Sequence, residues 1–98
     1  MSDTAYTVER EENPPYGRYV IHLPPDAEAE MVYRWSADHA MVITHTEVPQ
    51  EFGGKGIAGH LVRAAIADAR AQGFRITPLC SYVAAQFRRN PDWQDLLA

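Results

Sequence analysis

The sequence predicts an α+β fold: a mixed, mostly antiparallel sheet closed by one β-α-β unit. In the first half of the chain, short runs alternate apolar and polar residues between turn-forming segments, as strands do. From Gly56 onward the apolar spacing becomes helical, and another strand-like run follows it. Ninety-eight residues leave room for one sheet and two or three helices. We therefore expect a single domain over residues 1–98.

Four strands are predicted ahead of the first helix. They are expected at Tyr6–Arg10, Arg18–Leu23, Ala29–Trp35 and Met41–Val48. Turn-forming segments separate them at 13–17, 24–26 and 36–38. In the third strand, alternation puts Met31, Tyr33 and Trp35 on one face and Val32 and Arg34 on the other.

The β-α-β unit starts with a helix from Gly56 to about Gln72, for which Gly73 is a suitable C-terminal cap. A fifth strand, Phe74–Leu79, is expected to join the fourth in parallel through a right-handed crossover. A short second helix at Ser81–Arg89 and a helical turn at Asp92–Leu97 complete the chain. Five aromatic side chains are predicted to pack in the core: Tyr19, Tyr33, Trp35, Phe74 and Trp93.

Composition narrows the possible partners. The net charge of −4 argues against nucleic acid, because a phosphate-binding face needs an excess of lysine and arginine. Acidic residues are frequent in the first third of the chain: Glu9, Glu11, Glu12, Asp26, Glu28 and Glu30. These acids either favour a cationic substrate or form an ordinary solvated surface. The oligomeric state is left open.

The single cysteine, Cys80, excludes an intrachain disulfide and a cysteine-based metal cluster, and we predict no metal site. The first residues lack the pattern of a signal peptide. No apolar run approaches the roughly 18 residues that a membrane helix needs. We expect a reducing cytoplasm and no membrane partner.

A glycine-rich turn between the fourth strand and the first helix is the most informative stretch. Gly53, Gly54, Gly56 and Gly59 allow sharp bends and leave the backbone bare. The following helix directs its unpaired N–H groups and the positive end of its dipole into this turn. Such an arrangement favours phosphate or pyrophosphate.

Two nucleotide-binding motifs fit this turn poorly. Residues 54–59 match the spacing G-x-G-x-x-G, but Pro49–Gly53 separate the motif from its strand. The acid expected about 20 residues later is also missing, since that region holds Thr77, Pro78 and Leu79. A G-x-x-x-x-G-K-[ST] loop fails because Pro49 occupies its first glycine position.

The turn instead resembles the acetyl-coenzyme-A signature of the GNAT N-acetyltransferase superfamily, which is Arg or Gln, two residues, Gly, one residue, then Gly or Ala. Gly56 and Ala58 fill the small positions, while Gly53 stands where the signature has Arg or Gln. A compact branch of GNAT-like acetyltransferases shares further segments with this chain. They are His45–Val48, Gly54–Ala58, Pro78–Cys80, Ala84-Ala85 and Arg88-Arg89.

This resemblance implies that acetyl-CoA binds in a cleft where the fourth and fifth strands separate. Backbone groups from Thr46 to Val48 would pair with the pantetheine arm. The pyrophosphate would lie on the turn and the helix start, formed by Gly53, Gly54, Lys55, Gly56, Ile57, Ala58 and Gly59. Arg88 and Arg89 would either hold the 3′-phosphate or simply complement the dipole at their helix end.

Four residues are candidates for chemistry. His45 and Glu47 are expected on one face of the fourth strand, together with Met41 and Ile43, and either could take the proton of an amine. The alternatives are a structural histidine and a positioning or surface glutamate.

Cys80 lies just before the second helix, whose predicted N-cap is Ser81. It could accept the acetyl group, protonate the leaving thiolate or form a mixed disulfide; otherwise it is a small buried residue. Larger superfamily members use a tyrosine as the acid about seven residues after this position. In this chain that residue is Phe87, which has no hydroxyl, so Tyr82 is the remaining phenol nearby. The sequence thus predicts a minimal N-acetyltransferase acting on a small amine or a protein amino group. A CoA-binding module without turnover and a plain interaction domain are the alternatives.

Overall fold

The computed structural model describes residues 6–98 and contains a five-stranded sheet in the order β1-β2-β3-β4-β5. The strands are β1 Glu9–Asn13, β2 Tyr16–Leu23, β3 Ala27–Trp35, β4 Ala40–Glu47 and β5 Arg75–Pro78. The first four are antiparallel to one another, and β5 pairs with β4 in parallel. The predicted α+β class, with a mostly antiparallel sheet and one β-α-β unit, is confirmed.

Two α-helices follow β4. Helix α1 spans Ile57–Gln72 and α2 spans Ser81–Arg89, with short 3₁₀ helices at Gln50–Phe52 and Pro91–Leu96. Helix α1 ends as predicted, because Gly73 adopts a left-handed conformation and its N–H donates to the Ala69 carbonyl. Neither helix within residues 6–98 is long and apolar enough to cross a membrane.

The first strand is displaced from its predicted position. The sequence placed it at Tyr6–Arg10, but β1 begins at Glu9 and continues to Asn13. Asn13 pairs directly with Tyr16, so the two prolines between them form the turn alone. Tyr6 packs instead against the core, with its ring centroid 5.2 Å from that of His60.

Both helices cover the same face of the sheet. One cluster of buried side chains unites the strands with α1 and α2; it includes Tyr19, Met31, Tyr33, Ile43, Leu61, Val62, Ile76, Val83 and Phe87. Of the predicted aromatic core, Tyr19, Tyr33 and Phe74 are buried, and Trp35 and Trp93 pack against the cluster. We call the opposite side, which carries Val20, Val32, Glu30 and Glu47, the open face of the sheet.

A β-bulge changes the orientation of the end of β4. Val32 pairs with His45 and Tyr33 pairs with Ile43, which leaves Thr44 as an extra residue. His45 and Glu47 therefore share a face with each other, as predicted, but not with Met41 and Ile43. That part of the prediction is wrong, since the bulge reverses the alternation and turns His45 and Glu47 to the open face.

Candidate functional site

The parallel pair β4–β5 is short and ends at a gap. Paired residues run from Ala40 and Arg75 to Ile43 and Pro78. The N–H groups of Leu79 and Cys80 then both donate to the Ile43 carbonyl at 3.0 Å, which carries the chain away from β4. Within the described residues, Thr46 and Glu47 have partners on β3 but none on β5. The β5 side of this segment is thus available to an extended ligand.

The glycine turn lies beside this gap and leaves open space before α1. Gly54 and Gly56 adopt left-handed conformations with φ of 78° and 75°. A Cβ added at either would have no atom of the described chain within 4 Å, apart from its neighbours in sequence. Gly56 is the N-cap of α1, and no side chain of residues 6–98 caps that end. The N–H groups of the first turn are therefore available to an anion.

Gly53 has a different role within the turn. Its φ of −65° is accessible to any residue, and its N–H donates to the Gln50 carbonyl at 3.1 Å. Gly53 therefore ends the short 3₁₀ helix rather than providing the sharp bend. The bends required by the turn are made at Gly54 and Gly56.

A cleft of about 220 Å³ joins the turn to α2. It is lined by Val48, Phe52, Gly53, Gly54, Gly56, Ile57, Ala58 and Tyr82. Six of these are predicted cofactor-binding residues, and Tyr82 is a predicted catalytic one. Lys55 is exposed in the turn, and Gly59 follows in the first turn of α1. The chain thus brings the end of β4, the turn and the start of α2 to one cleft.

Cys80 contacts β4 from the start of α2. It is itself the N-cap residue, so the prediction of Ser81 as the cap is wrong; Ser81 is the first residue of the helix. The Cys80 sulfur lies 3.4 Å from the Thr46 hydroxyl oxygen. Thr46 faces the helices because it pairs with the buried Met31 beyond the bulge.

The environment of Cys80 favours its thiolate. Partial burial acts to raise the pKa of the thiol, but its hydrogen bond with the Thr46 hydroxyl and those from the backbone N–H groups of Val83, Tyr82 and Thr46 outweigh it. The pKa of Cys80 is therefore below its ordinary value. This lowered pKa is typical of a reactive cysteine at a helix N-terminus.

His45 and Glu47 form a pair on the open face. Their nearest atoms, His45 Nε2 and Glu47 Oε1, are 3.3 Å apart, and both side chains are more than half exposed. A carboxylate oxygen of Glu30 lies within 4.8 Å of the ligand atoms of both. Thr46 lies between them in sequence but points to the other face, so the free end of β4 presents different groups on its two sides.

The predicted basic residues lie apart from the cleft lining. Arg88 and Arg89 are exposed in the last turn of α2, roughly 12 Å along the helix from Cys80 at 1.5 Å per residue. A cation that the sequence analysis missed lies closer, because a Cβ on Gly59 would be 3.0 Å from the Arg63 guanidinium. Arg63 could have been predicted from the sequence, because it follows Gly59 by four residues and so lies on the same side of the helix.

Comparison with known proteins identifies the family of the chain. The family described as GCN5-related N-acetyl-transferase matches residues 18–96. Protein NATD1 of Xenopus tropicalis is 32% identical over 63 residues, which cover 64% of this chain and 58% of that protein. Protein NATD1 of Bos taurus is also 32% identical over 63 residues, covering 64% of this chain and 56% of that protein.

Protein NATD1 of Homo sapiens is 30% identical over the same number of residues, 63, covering 64% of this chain and 56% of that protein. The match therefore spans a little more than half the length of these relatives. The family match is longer, running from β2 through both helices to the final 3₁₀ helix. On this match, the chain belongs to the GCN5-related N-acetyltransferase family.

Proposed function

We propose that the protein binds acetyl-CoA and transfers its acetyl group to an amine. The observation that carries the proposal is the uncapped start of α1 under Gly54 and Gly56. This backbone cradle is joined by a cleft to Tyr82, and Cys80 lies two residues before Tyr82 in the sequence. Family membership supports the same reaction class, and the cleft beside the uncapped helix start supports a site for the diphosphate and the arm of the cofactor.

The turn fits a diphosphate. Both glycines leave the space that a Cβ would fill, so anionic oxygens could approach the N–H groups of the first turn of α1. Lys55 and Arg63 supply positive charge on either side of Gly56. Backbone N–H groups replace the Arg or Gln side chain that the family signature carries at Gly53.

The end of β4 fits the amide-containing arm. An extended chain can hydrogen-bond to the edge of a strand, and within the described residues the segment from Thr46 to Val48 has no strand partner on its β5 side. When bound, acetyl-CoA supplies an activated thioester carbonyl. Cys80 and Thr46 lie at the start of the gap and are the groups we assign to the sulfur end of the arm.

The candidate catalytic groups lie on the two faces of β4: His45 and Glu47 on the open face, Cys80 and Tyr82 on the side of the helices. His45, oriented by Glu47 at 3.3 Å, can take the proton that an alkylammonium must lose before it reacts. Because the pKa of Cys80 is lowered, its thiolate is suited to a nucleophilic role. Tyr82, in the cleft, then remains as the group that protonates a departing thiolate.

Titration calorimetry with CoA and acetyl-CoA, followed by an assay of thiol release with a panel of amines, tests the proposal. We expect acetyl-CoA at 100 times its Kd to stabilise the fold by about 2.7 kcal/mol. We also expect thiol release that depends on the amine. Absence of both binding and stabilisation would overturn the proposal.

A CoA-binding module without turnover is the second candidate. It is favoured by Phe87, which stands at the counted position of the superfamily tyrosine and is buried in the core against Trp93. Micromolar binding of acetyl-CoA with no amine-dependent thiol release would select this candidate.

A further inference from the structure

The side chain of Arg63 folds back over the first turn of α1. A Cβ built on Gly59 would be 3.0 Å from the Arg63 Nη1 atom, 3.5 Å from Nη2 and 3.6 Å from Cζ. The guanidinium group therefore lies against the bare backbone of Gly59, where a side chain would otherwise stand. Gly59 is three residues, or about 4.5 Å of helix, beyond Gly56. The guanidinium is thus held beside the backbone cradle at Gly54 and Gly56.

No acidic residue of the described chain accounts for this position. Within residues 6–98, Arg63 forms no ion pair. The first turn of α1 contains no acid. The helical neighbours of Arg63 at three and four residues are Gly59, His60, Ile66 and Ala67, and none carries a carboxylate. The positive charge of Arg63 is therefore uncompensated at the start of the helix.

Arg70 provides a contrast on the same helix. It follows Arg63 by seven residues, or two helical turns, so the two side chains project from one side of α1. Arg70 donates to the Asp95 carboxylate at 3.0 Å and to the Asp92 carbonyl at 2.8 Å. It also lies in the last turn, where the helix dipole stabilises a cation. Arg63 has neither of these sources of stabilisation.

Both members of the Gly59–Arg63 pair are unfavourable for the protein without a ligand. The first turn of a helix carries the positive end of its dipole, so a guanidinium held there is repelled. Glycine inside a helix is also less stable than alanine, because it loses more backbone freedom on folding. A bound anion would change the first effect into an attraction, since the helix end and the guanidinium would then face the same negative charge.

We infer that Gly59 and Arg63 act as a pair that binds a phosphate group of the cofactor. Gly59 leaves the space in which the guanidinium lies, and Arg63 donates the hydrogen bonds. This inference rests on the proposed function and deepens it by giving Gly59 a role that acts through Arg63. The planar guanidinium presents two parallel N–H groups to phosphate oxygens. CoA offers such oxygens in its diphosphate and in its 3′-phosphate.

Calorimetric titration with CoA and with dephospho-CoA, which lacks the 3′-phosphate, tests the role of Arg63. We expect Arg63→Gln to weaken CoA binding at least about 5-fold, because a charge-assisted hydrogen bond is lost. An equal loss for both ligands assigns Arg63 to the diphosphate, and a loss confined to CoA assigns it to the 3′-phosphate. Arg34→Gln removes the same charge from an exposed position on β3 and is the matched control. It should leave both affinities unchanged.

A double-mutant cycle tests the role of Gly59. Gly59→Ala should raise the urea midpoint of the cofactor-free protein, because alanine favours the helix. The same change should weaken CoA binding, because the new Cβ displaces the guanidinium. Adding Gly59→Ala to Arg63→Gln should weaken CoA binding no further, since Gly59 acts only through Arg63. Additive losses would overturn the pairing, because Gly59 would then act on the ligand directly.

Two other results would overturn the inference: an unchanged affinity for CoA in Arg63→Gln, or an equal loss in Arg34→Gln. Failure of the proposed function is distinguishable, because the wild type itself would then bind neither CoA nor acetyl-CoA. Wild-type binding that Arg63→Gln leaves intact would retain the proposed function and reject the role of Arg63 alone.

Discussion

The sulfur of Cys80 lies 3.4 Å from the hydroxyl of Thr46, and this contact joins α2 to β4 at the point where β4 and β5 separate. It exists because the bulge at Thr44 turns Thr46 toward the helices. The same bulge turns His45 and Glu47 to the open face. One extra residue in β4 therefore decides which groups face the helices and which face the open side of the sheet.

The reactivity of Cys80 should follow its lowered pKa. Alkylation by iodoacetamide requires the thiolate, so we expect the rate to reach half its maximum at a lower pH than for free cysteine. Thr46→Val keeps the shape of residue 46 and removes its hydroxyl, and should move that midpoint to higher pH. Identical rate–pH profiles for the two proteins would contradict the assigned role of Thr46.

Substitution in the glycine turn should separate backbone strain from cofactor binding. Gly54→Ala and Gly56→Ala place a Cβ at a left-handed position and in the proposed phosphate space, so the Kd for CoA should rise at least about 10-fold, or 1.4 kcal/mol. Gly73→Ala is the matched control, with φ of 78° at the other end of α1. It should cost similar stability, about 1 kcal/mol, and leave the Kd unchanged.

Much of this site follows from local sequence rules, and the rest depends on register. The turn, α1 and its cap at Gly73 were predictable because glycine spacing and helical periodicity are local signals. The bulge at Thr44 was not, because Thr44 to Glu47 are all polar and their pattern does not reveal a change of face. The start of β1 was misplaced because the apolar Tyr6 and Val8 pack on the core outside the sheet.

Alkaline pH should destabilise the fold through Tyr33. Burial, followed by its hydrogen bond to Glu12, raises the pKa of Tyr33 to about 12 from the ordinary 10.0. The unfolded chain ionises first, so stability is fully present below about pH 10 and is lost as the pH rises toward 12. We expect the loss from Tyr33 alone to reach roughly 2 kcal/mol.

Urea unfolding between pH 9 and 12 measures this effect. Tyr33→Phe should be less stable at neutral pH by about 1–2 kcal/mol, since Glu12 loses a partner, but its stability should fall less steeply with pH. Tyr16→Phe removes an exposed hydroxyl and should leave the slope unchanged. If the free energy of unfolding of Tyr33→Phe falls with pH as steeply as that of the wild type, the raised pKa of Tyr33 is contradicted.

Removing the charge of Glu47 should raise the stability of the fold and lower the rate of acetyl transfer. Glu47→Gln ends the repulsion with Glu30 across β3 and β4, so we expect the free energy of unfolding to rise by about 0.2–0.5 kcal/mol. Acetyl transfer should fall, because His45 loses the carboxylate 3.3 Å away that orients it. Chemical denaturation and steady-state kinetics check the two effects, and a loss of stability would argue against the like-charge pair.

Replacement of Cys80 tests its chemistry directly. Cys80→Ser keeps a small polar group at the start of α2, so binding of acetyl-CoA should change little. If the Cys80 thiolate is the nucleophile, kcat should fall at least about 10-fold, because a serine hydroxyl is not ionised near neutral pH. Tyr82→Phe should also lower kcat without weakening binding, and mass spectrometry should find acetyl on Cys80 in the wild type when no amine is present. Unchanged turnover in Cys80→Ser would assign Cys80 to packing against Thr46 and leave the transfer to a direct attack by the amine.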